Sequence, residues 1–394
     1  MSERPEAVTT TLGELPPLAQ LQKTWCELEA RAELSFFQSW QWIGTWLESL
    51  PRHVTPLLLH VQRGGVTVGL AILTRREIVR YGLLRSKALF LNDTGDPALD
   101  EITIEHNGFL AERGRDAAIA QACMDFLLRN YVDWDELFLD GLRQPDLVET
   151  LALGRARLRN VSRRQCYFVD LGVLRQTGGD YLSMLGKNTR YTIRRSVRAY
   201  QKHGTLHLEQ AATVLQAQEF LDRLRHFHQR YWLQKGMPGS FANSFFTEFH
   251  TRLIEQGMVA GTIQMLRLTS GGDEIGYLYN FVHRGRVYNY QSGFDYDLVG
   301  AHGRPGLVCH AQAVEYNEKQ GHAVYDFMAG DSDYKKNLGT ASQTMTWSVV
   351  QQARLKFRIE DVLRKAKQQL RRRASPPERA PLSDSSQTTH EEAS

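Results

Sequence analysis

Two parts of this 394-residue chain repeat one layout, and the repeat limits the folds open to it. Residues 64–69 and 271–276 both carry paired glycines before an apolar run, a pattern typical of a hairpin turn leading into a β-strand. Residues 114–141 align without gaps with residues 303–330, and each copy reads as a helix followed by a short strand. The first copy has about eighteen more residues before its helix, around residues 91–96. The matched order predicts an internal duplication.

The two copies differ at the positions where chemistry would take place. Ala117 stands opposite Gly306, and Leu137 stands opposite Asp326. Nothing after the first copy resembles residues 331–336, which follow the second copy as a predicted polar loop. We therefore expect that, if only one half is active, it is the second.

The composition indicates a folded protein of a reducing compartment. Hydrophobic residues make up 42% and charged residues 23%, and the net charge of +4 does not by itself indicate nucleic-acid binding. The four cysteines lie far apart and no histidine spacing is that of metal ligands, so we expect neither disulfides nor a metal site. No signal peptide and no apolar run long enough to span a bilayer is present. These features predict a cytoplasmic protein.

The second copy contains a pattern that can hold a phosphate group. A predicted strand over residues 288–295 leads through a glycine-bearing turn into a predicted helix over residues 305–319. Backbone N–H groups at such a helix start bind phosphates, and Gly303 and Gly306 would allow a ligand to approach the backbone. The alternative is that these glycines only permit a tight turn. The pattern favours transfer of a group from a phosphate-bearing carrier.

Several segments resemble a known family. Residues 290–295, 303–306 and 325–335 are similar to the CelD/BioF-like branch of the GNAT acyltransferase superfamily, which is related to the FemAB peptidyltransferases. Residues 36–42 resemble the opening helix of that family, and residues 183–195 resemble the basic helix that opens its acyltransferase domain. The resemblance covers most of the chain, but its motifs indicate the substrate poorly.

The resemblance implies an α/β (α+β) fold of tandem GNAT-like domains, each a mixed twisted sheet flanked by helices. On this basis we expect a degenerate first domain over residues 1–160 and an acyltransferase domain over residues 161–352. A basic helix over residues 353–374 and a disordered tail over residues 375–394, rich in Pro, Ser, Thr and Glu, should follow.

The implied reaction is attack of an amine on the thioester of an acyl-CoA, most readily acetyl-CoA, without a metal. Gly303, Arg304 and Gly306 would bind the pyrophosphate of the donor. Tyr334 would protonate the leaving thiolate, and Lys335 would offset the charge of the tetrahedral intermediate. The alternative for the last two residues is an ordinary solvated Tyr–Lys pair.

Three further residues have two interpretations each. Asp326 lies among apolar neighbours, so it is either a base with a raised pKa or a hydrogen-bonded structural anchor. Tyr290 and Asp295 could line the acceptor pocket, and they could equally be ordinary core or turn residues.

A basic stripe runs along a predicted helix after residue 181. Its members recur at three- or four-residue steps, so they share one helix face. They are Lys187, Arg190, Arg194, Arg198 and Lys202. The stripe is a solvated face, a site for an anionic substrate that Arg190 and Arg194 would contact, or a nucleic-acid surface such as an aminoacyl-tRNA donor requires.

The predicted function is acyl transfer from acyl-CoA to an amine or hydroxyl of a sugar or a cell-envelope or exopolysaccharide precursor. The CelD branch suggests the acceptor by analogy alone. One alternative is a FemAB-type aminoacyltransferase, for which tRNA would be the partner. The other alternative is a non-catalytic accessory protein of polysaccharide synthesis, associated peripherally with a membrane synthase.

Overall fold

The computed structural model describes residues 8–361, except positions 81, 83, 145, 179, 301, 302 and 331. Residues 355–361 are helical, so the first residues of the predicted basic helix are seen. The rest of that helix, from residue 362, and the predicted tail lie outside the described residues.

Helices form on both sides of one extended sheet. They are α1 (Leu18–Glu29), α2 (Trp40–Ser49), α3 (Asp116–Arg129), α4 (Leu147–Thr150), α5 (Leu171–Gln176), α6 (Lys187–His203), α7 (Val214–Gln234), α8 (Ser244–Ala260), α9 (Pro305–Lys319) and α10 (Asp333–Leu338). Across the described ranges, no helix combines the length and the apolar composition needed to cross a membrane.

The described strands join into one mixed sheet. They are β1 (Val8–Glu14), β2 (Leu57–Arg63), β3 (Val66–Arg80), β4 (Leu84–Leu91), β5 (Leu110–Ala111), β6 (Glu136–Leu142), β7 (Arg157–Asp170), β8 (Leu206–Gln210), β9 (Ile263–Ser270), β10 (Asp273–His283), β11 (Arg286–Phe294), β12 (Val324–Ala329) and β13 (Ala341–Gln351). Their order is β1-β2-β3-β4-β6-β13-β7-β12-β11-β10-β9-β8, with β5 against β3.

The chain connects the strands in the same pattern from either edge of the sheet: β1-β2-β3-β4-β6 from one edge corresponds to β8-β9-β10-β11-β12 from the other. This symmetry confirms the internal duplication. In the first half β1 to β4 pair antiparallel and β4 pairs parallel with β6, and β8 to β12 repeat these directions in the second half. Both predicted hairpins are present. Their glycines have positive φ (55° and 79° at Gly64 and Gly65, 61° and 99° at Gly271 and Gly272), which favours glycine. The predicted fold class, a mixed sheet flanked by helices in a tandem arrangement, is confirmed.

Each half donates its last strand to the other half. β7 follows β6 in the chain but lies between β12 and β13, whereas β13 follows β12 but lies between β6 and β7. β7 and β13 pair antiparallel with each other, from Arg157 opposite Gln351 to Phe168 opposite Ala341. Neither half therefore completes its sheet from its own segment. The expected division between residues 160 and 161 falls inside β7, and this boundary stays a prediction.

One aromatic cluster joins the two halves on one face of the sheet. The Phe36 ring stacks on Phe281 with the ring centroids 4.4 Å apart, and Trp42 contacts Phe249 at 4.9 Å. Leu70 points into this cluster, but its neighbour Ala71 packs on the opposite face under α3. The second half has its own cluster under α9. The halves thus share a core on one face and have separate cores on the other.

Local signals account for the main helices. The side chain of Thr213 accepts a hydrogen bond from the Gln216 N–H at the start of α7, and Asn243 does the same for Phe246 in α8. α8 ends at Gly261, which has the left-handed backbone conformation that glycine favours. These caps explain where α7 begins and where α8 begins and ends.

Because the core and the sheet continue across both halves, we expect them to unfold together. Val350 of β13 is wholly buried in the core of the first half. We expect Val350→Ala to lower the free energy of unfolding by about 2 kcal/mol. Hydrogen exchange followed by mass spectrometry in urea should show equal loss of protection in β3 and β10. Val79→Ala, at a position 52% exposed, is the control. Separate transitions for the two strands would contradict a shared unfolding unit.

Candidate active site

Two parallel strands of the second half separate and open a site. β11 pairs with β12 only from Arg286 to Tyr288, opposite Val324 to Asp326. β11 continues to Phe294 and β12 to Ala329 beyond the last pair. The unpaired ends leave room for two adjoining cavities.

The larger cavity, here called the aromatic cleft, has a volume of about 560 Å³. β11, α7 and the start of α9 surround it, and its aromatic lining includes Phe227, Tyr231, Trp232, Phe294 and Tyr296. The smaller cavity, here called the polar cavity, has a volume of about 240 Å³ and lies between the separated ends of β11 and β12. The two cavities share Ser240, Gln291, Ser292 and Tyr334 as lining residues.

The start of α9 faces the aromatic cleft. Arg304, Pro305 and Gly306 line the cleft, and Arg304 at the N-cap position makes no side-chain capping hydrogen bond. The unpaired N–H groups and the positive end of the helix dipole therefore favour an anion here. A Cβ atom on Gly306 would lie 3.2 Å from the Phe294 ring, so glycine keeps this wall open. Gly303 does not line the cleft, and a Cβ atom there would lie 2.9 Å from the Tyr200 hydroxyl.

Tyr334 lies where the two cavities meet. The sequence indicates a polar loop at this position, but the structure has the short helix α10, which begins with Asp333 after Ser332 and has two lysines in its last turn. The Tyr334 ring is 38% exposed and stacks on His310 with ring centroids 5.8 Å apart. Partial burial and the nearby Tyr296 raise the pKa of Tyr334, so its hydroxyl keeps its proton at neutral pH.

Lys335, the next residue on α10, faces the polar cavity. Its Nζ donates to the Ala329 carbonyl at 2.7 Å and lies 3.4 Å from the Met328 carbonyl. Burial lowers the pKa of Lys335, and the nearby Glu105 opposes that shift. The ammonium is therefore held at the unpaired end of β12, beside the space where a reacting group would lie.

His310 is a site residue that the sequence reasoning missed. It lies on α9, lines the aromatic cleft and is wholly buried. Nδ1 is 3.2 Å from the Tyr325 hydroxyl, but Nε2 has no hydrogen-bond partner among the described residues. Burial, with Lys335 nearby, lowers the pKa of His310 to about 3, so the ring is neutral. An unpartnered buried nitrogen beside a cleft can bind a polar group of a ligand. Its place on an apolar helix face is an ordinary core pattern, so the sequence offers no signal for it.

Asp326 is a wholly buried carboxylate surrounded by donors. Oδ1 accepts from the Met328 N–H at 2.8 Å and from Cys166 Sγ at 3.0 Å. Oδ2 lies 2.9 Å from Arg286 Nε and 3.3 Å from His106 Nε2. Burial by itself would raise the pKa of Asp326, but His106 and Arg286 hold it below its ordinary value. These contacts favour the structural-anchor interpretation over a base with a raised pKa.

His106, Cys166 and Asp326 place one potential ligand atom each within 4.8 Å of one another, which is close enough to hold a metal ion. The Arg286 guanidinium, however, already neutralises the Asp326 carboxylate. Hydrogen bonds and ion pairs of Asp326 with His106, Cys166 and Arg286 account for the short distances. The absence of a metal stays a prediction.

The other predicted substrate residues lie in different places. Tyr290 lines the polar cavity and donates its hydroxyl proton to the Ile102 carbonyl. Asp295 lies just after β11 and pairs with Arg230 at 2.8 Å, outside both cavities. Arg190 and Arg194 lie on α6 and line neither cavity. The structure therefore brings Tyr290, Tyr334, Lys335, Arg304 and Gly306 together, but not the other predicted contacts.

The first half also reaches this site. The segment over residues 92–109, here called the insertion, contains the extra residues of the first copy. Glu101, Thr103 and Glu105 of the insertion line the polar cavity. Glu105 Oε2 accepts a hydrogen bond from the Ala329 N–H of β12 at 2.8 Å. The extra length of the first copy was the one sequence signal for these three residues. It did not show that the insertion would lie against the second half.

The insertion also closes the equivalent opening of the first half. Asn107 Nδ2 donates to the Leu91 carbonyl at the end of β4 and to the Asp140 carbonyl of β6, both at 3.0 Å. One side chain thus bridges the two parallel strands that separate in the second half. Asn92 Nδ2 supports it with a 2.8 Å bond to Asn107 Oδ1. The aromatic cleft and the polar cavity therefore open in the second half. That the second half is the active one stays a prediction.

Comparisons with known proteins agree with this geometry. Residues 187–336 match the family model described as an acetyltransferase (GNAT) domain. That match includes β11, α9, β12 and most of α10, which supply much of the lining of the two cavities. No curated protein sequence matches the chain significantly.

Solved structures with little sequence identity share the fold. FemX superposes with a TM-score of 0.53 at 9% identity, over 86% of this chain and 96% of FemX. The C-terminal domain of a putative lysylphosphatidylglycerol synthetase from Agrobacterium fabrum gives a TM-score of 0.50 at 11% identity, over 86% of this chain and 93% of that domain. A conserved protein of unknown function from Bacteroides thetaiotaomicron gives 0.50 at 9% identity, over 87% and 100%. The similarity extends over both halves.

The contacts of Asp326 can be tested by removing its charged partner. We expect Arg286→Gln to lower the free energy of unfolding by about 3–5 kcal/mol, because it removes the guanidinium that pairs with a buried carboxylate. Urea denaturation measures the change. The double variant Arg286→Gln/Asp326→Asn removes both charges and should recover most of the loss. A single variant as stable as the unsubstituted protein would show that Asp326 does not depend on Arg286.

The ionised side chain of Glu105 should destabilise the folded protein. Burial raises the pKa of Glu105 although the Ala329 N–H and Lys335 oppose the shift, so the folded state favours the protonated form. Stability from this group is present at low pH and is lost as pH rises through the raised pKa. Glu105→Gln keeps an acceptor for the Ala329 N–H without the charge. We expect a higher melting temperature than the unsubstituted protein at pH 8, with the difference shrinking towards pH 4. A lower melting temperature at pH 8 would contradict this expectation.

Proposed function

We propose that the chain transfers an acyl group from acyl-CoA to an amine or hydroxyl, because residues 187–336 match a GNAT acetyltransferase domain and the fold is shared with FemX. The observation that carries the proposal is the position of Tyr334, which lines both the aromatic cleft at the start of α9 and the polar cavity. A donor and an acceptor bound in the two cavities would meet beside its hydroxyl.

The donor would bind in the aromatic cleft. The start of α9 would hold the pyrophosphate, with the Arg304 side chain as an additional cation, because helix N–H groups and positive charge both favour phosphate oxygens. The aromatic lining suits the uncharged arm of the donor. His310 Nε2, which is unpartnered among the described residues, would bind a polar group of that arm. Acetyl-CoA is the donor we propose first.

Tyr334 and Lys335 would carry the chemistry. Attack of the acceptor on the thioester carbonyl creates an oxyanion and then expels a thiolate. The Tyr334 hydroxyl keeps its proton at neutral pH and would donate it to the thiolate. The Lys335 ammonium would offset the negative charge of the intermediate. Asp326 would act by holding β11 and β12 in place, since its carboxylate is buried and already paired.

The identity of the acceptor remains part of the proposal. A sugar or a cell-envelope or exopolysaccharide precursor is proposed from the resemblance to the CelD branch. A cytoplasmic location and peripheral association with a membrane polysaccharide synthase are proposed on the same resemblance.

A second candidate is an aminoacyl group carried on tRNA as the donor. The observation that favours it is the basic stripe of α6, which in the described part of the chain forms no ion pair with an acidic residue. Lys187, Arg194, Arg198 and Lys202 are exposed, as a phosphate-binding surface requires. The fold shared with FemX is consistent with this candidate.

Calorimetry with acetyl-CoA tests the first candidate. Gly306→Glu places a carboxylate beside the proposed pyrophosphate position, and Gly306→Gln is the matched control because it has the same shape without the charge. We expect Gly306→Glu to bind acetyl-CoA at least about tenfold more weakly than Gly306→Gln, which corresponds to about 1.4 kcal/mol. Equal affinities would show that the pyrophosphate does not lie at the start of α9.

Binding of charged tRNA, measured on filters with unsubstituted protein and Arg194→Glu, separates the remaining candidates. Tight tRNA binding without acetyl-CoA binding would favour the aminoacyl donor. Binding of neither donor would favour the non-catalytic accessory protein. A Tyr334→Phe variant that binds acetyl-CoA normally but releases CoA slowly would support the proton donor named above.

A further inference from the structure

A row of buried side-chain amides crosses the sheet of the second half and ends at the polar cavity. Asn289 of β11 lies opposite Asn280 of β10, which lies opposite Gln264 of β9. Asn317 of α9 contacts Gln264 from above the sheet. These four residues, here called the amide chain, are all more than nine-tenths buried, and Asn289 lines the polar cavity. Buried amides are costly unless they are hydrogen-bonded, and these four bond to one another.

One backbone carbonyl sets the orientation of the whole amide chain. Asn317 Nδ2 donates to the Ala313 carbonyl at 2.8 Å, and a carbonyl can only accept. Asn317 Oδ1 is therefore turned towards Gln264, whose Nε2 donates to it at 2.9 Å. Gln264 Oε1 then accepts from Asn280 Nδ2, and Asn280 Oδ1 accepts from Asn289 Nδ2, both at 2.9 Å. Reversing one amide would bring two oxygens or two N–H groups face to face, so hydrogen bonding assigns one sense to every link.

This orientation leaves one atom of the amide chain available to a ligand. Asn289 Nδ2 is used by Asn280, but Asn289 Oδ1 accepts no hydrogen bond from any described residue. Oδ1 is not one of the fully buried atoms without a partner, so it remains accessible, and the space beside Asn289 is the polar cavity. An amide oxygen accepts hydrogen bonds and donates none. Donation by Nδ2 into the rest of the chain makes this oxygen a stronger acceptor.

The first half shows that the fold does not require these amides. The cross-strand pair that corresponds to the amides of β9 and β10 is Leu57 opposite Leu73. In the gapless alignment of the two copies, Leu128 of α3 stands opposite the amide of α9. Leucines therefore fill these positions in the half where no cavity opens. Because apolar packing can replace a buried polar network at little cost in stability, the amides point to a role at the cavity.

We propose that the amide chain makes Asn289 a binding residue, whose Oδ1 accepts a hydrogen bond from an N–H or O–H group of the acceptor substrate. The inference rests on the acyl-transfer function proposed above and adds to it a residue that recognises the acceptor. Asn280, Gln264 and Asn317 are positioning residues, because they act through Asn289. A ligand group that can only accept, such as an ether or a carboxylate, would face an oxygen here and is disfavoured.

Methionine-methyl NMR tests this contact without requiring the donor. Met328 also lines the polar cavity, and Met328→Leu identifies its signal. The probes are N-ethylacetamide, which has one N–H donor, and its isomer N,N-dimethylacetamide, which has none. We expect the unsubstituted protein to bind N-ethylacetamide at least about threefold more tightly than the isomer, as one hydrogen bond allows. Asn289→Leu removes the acceptor oxygen and should abolish this advantage.

The double variant Gln264→Leu/Asn280→Leu tests the amide chain away from the cavity. It copies the leucine pair of the first half, and neither residue lines a cavity. Asn289 Nδ2 then loses its acceptor, so the amide can turn either way and the advantage of N-ethylacetamide should be lost. A merely structural role would leave the preference between the isomers unchanged. Gln312→Leu, at an amide of α9 outside the chain, is the matched control and should keep the preference.

Equal affinities for the two isomers, or no binding of N-ethylacetamide, would overturn the proposal. So would an advantage that persists in Asn289→Leu or in the double variant. If the double variant does not melt cooperatively, Asn317→Leu, which removes the link to the Ala313 carbonyl, takes its place with the same expectation.

The calorimetric titration with acetyl-CoA is a separate measurement. If N-ethylacetamide binds as expected but acetyl-CoA does not bind, the acyl-CoA function fails while the Asn289 contact stands. If acetyl-CoA binds but the isomers bind equally, only the role of Asn289 fails.

Discussion

The exchange of β7 and β13 is the constraint on which the rest of the structure depends. β7, from the first half, pairs with β12 of the second half, and β13, from the second half, pairs with β6 of the first half. The two strands also pair with each other at the centre of the sheet. Separating the halves would expose unpaired strand edges and divide the shared aromatic cluster. A first half without an open cleft is therefore retained as part of one folding unit.

Asp326 connects this arrangement to the site. It is the last residue of β12 that pairs with β11, and beyond it the two strands separate. Its carboxylate binds Arg286 of β11, Cys166 of β7 and His106 of the insertion. The desolvation of one buried charge is thus offset by groups from three other segments, which meet β12 where the cavities begin. The position of the insertion, and with it of Glu105, follows from the same contacts.

Much of the second half could be predicted because its signals are local. The glycine turn and Pro305 specify the start of α9 within a few residues, so Arg304 and Gly306 could be placed at a helix start from sequence alone. Tyr334 and Lys335 follow the next strand and were expected on the same side. His310 and Glu105 could not be found in this way. One lies on an ordinary apolar helix face, and the other belongs to a segment whose partners are more than two hundred residues away in the chain.

The sequence by itself determined that one α/β unit occurs twice and that its second copy carries the glycine turn and the Tyr–Lys pair. Those features depend on backbone conformations and periodicities that a few neighbouring residues impose. Only the tertiary structure decided that the halves exchange their last strands, that Asp326 is a paired anion, and that the first half lines the second half's cavity. These depend on pairing and burial between distant residues, and local preferences do not specify which distant strand or charge becomes the partner.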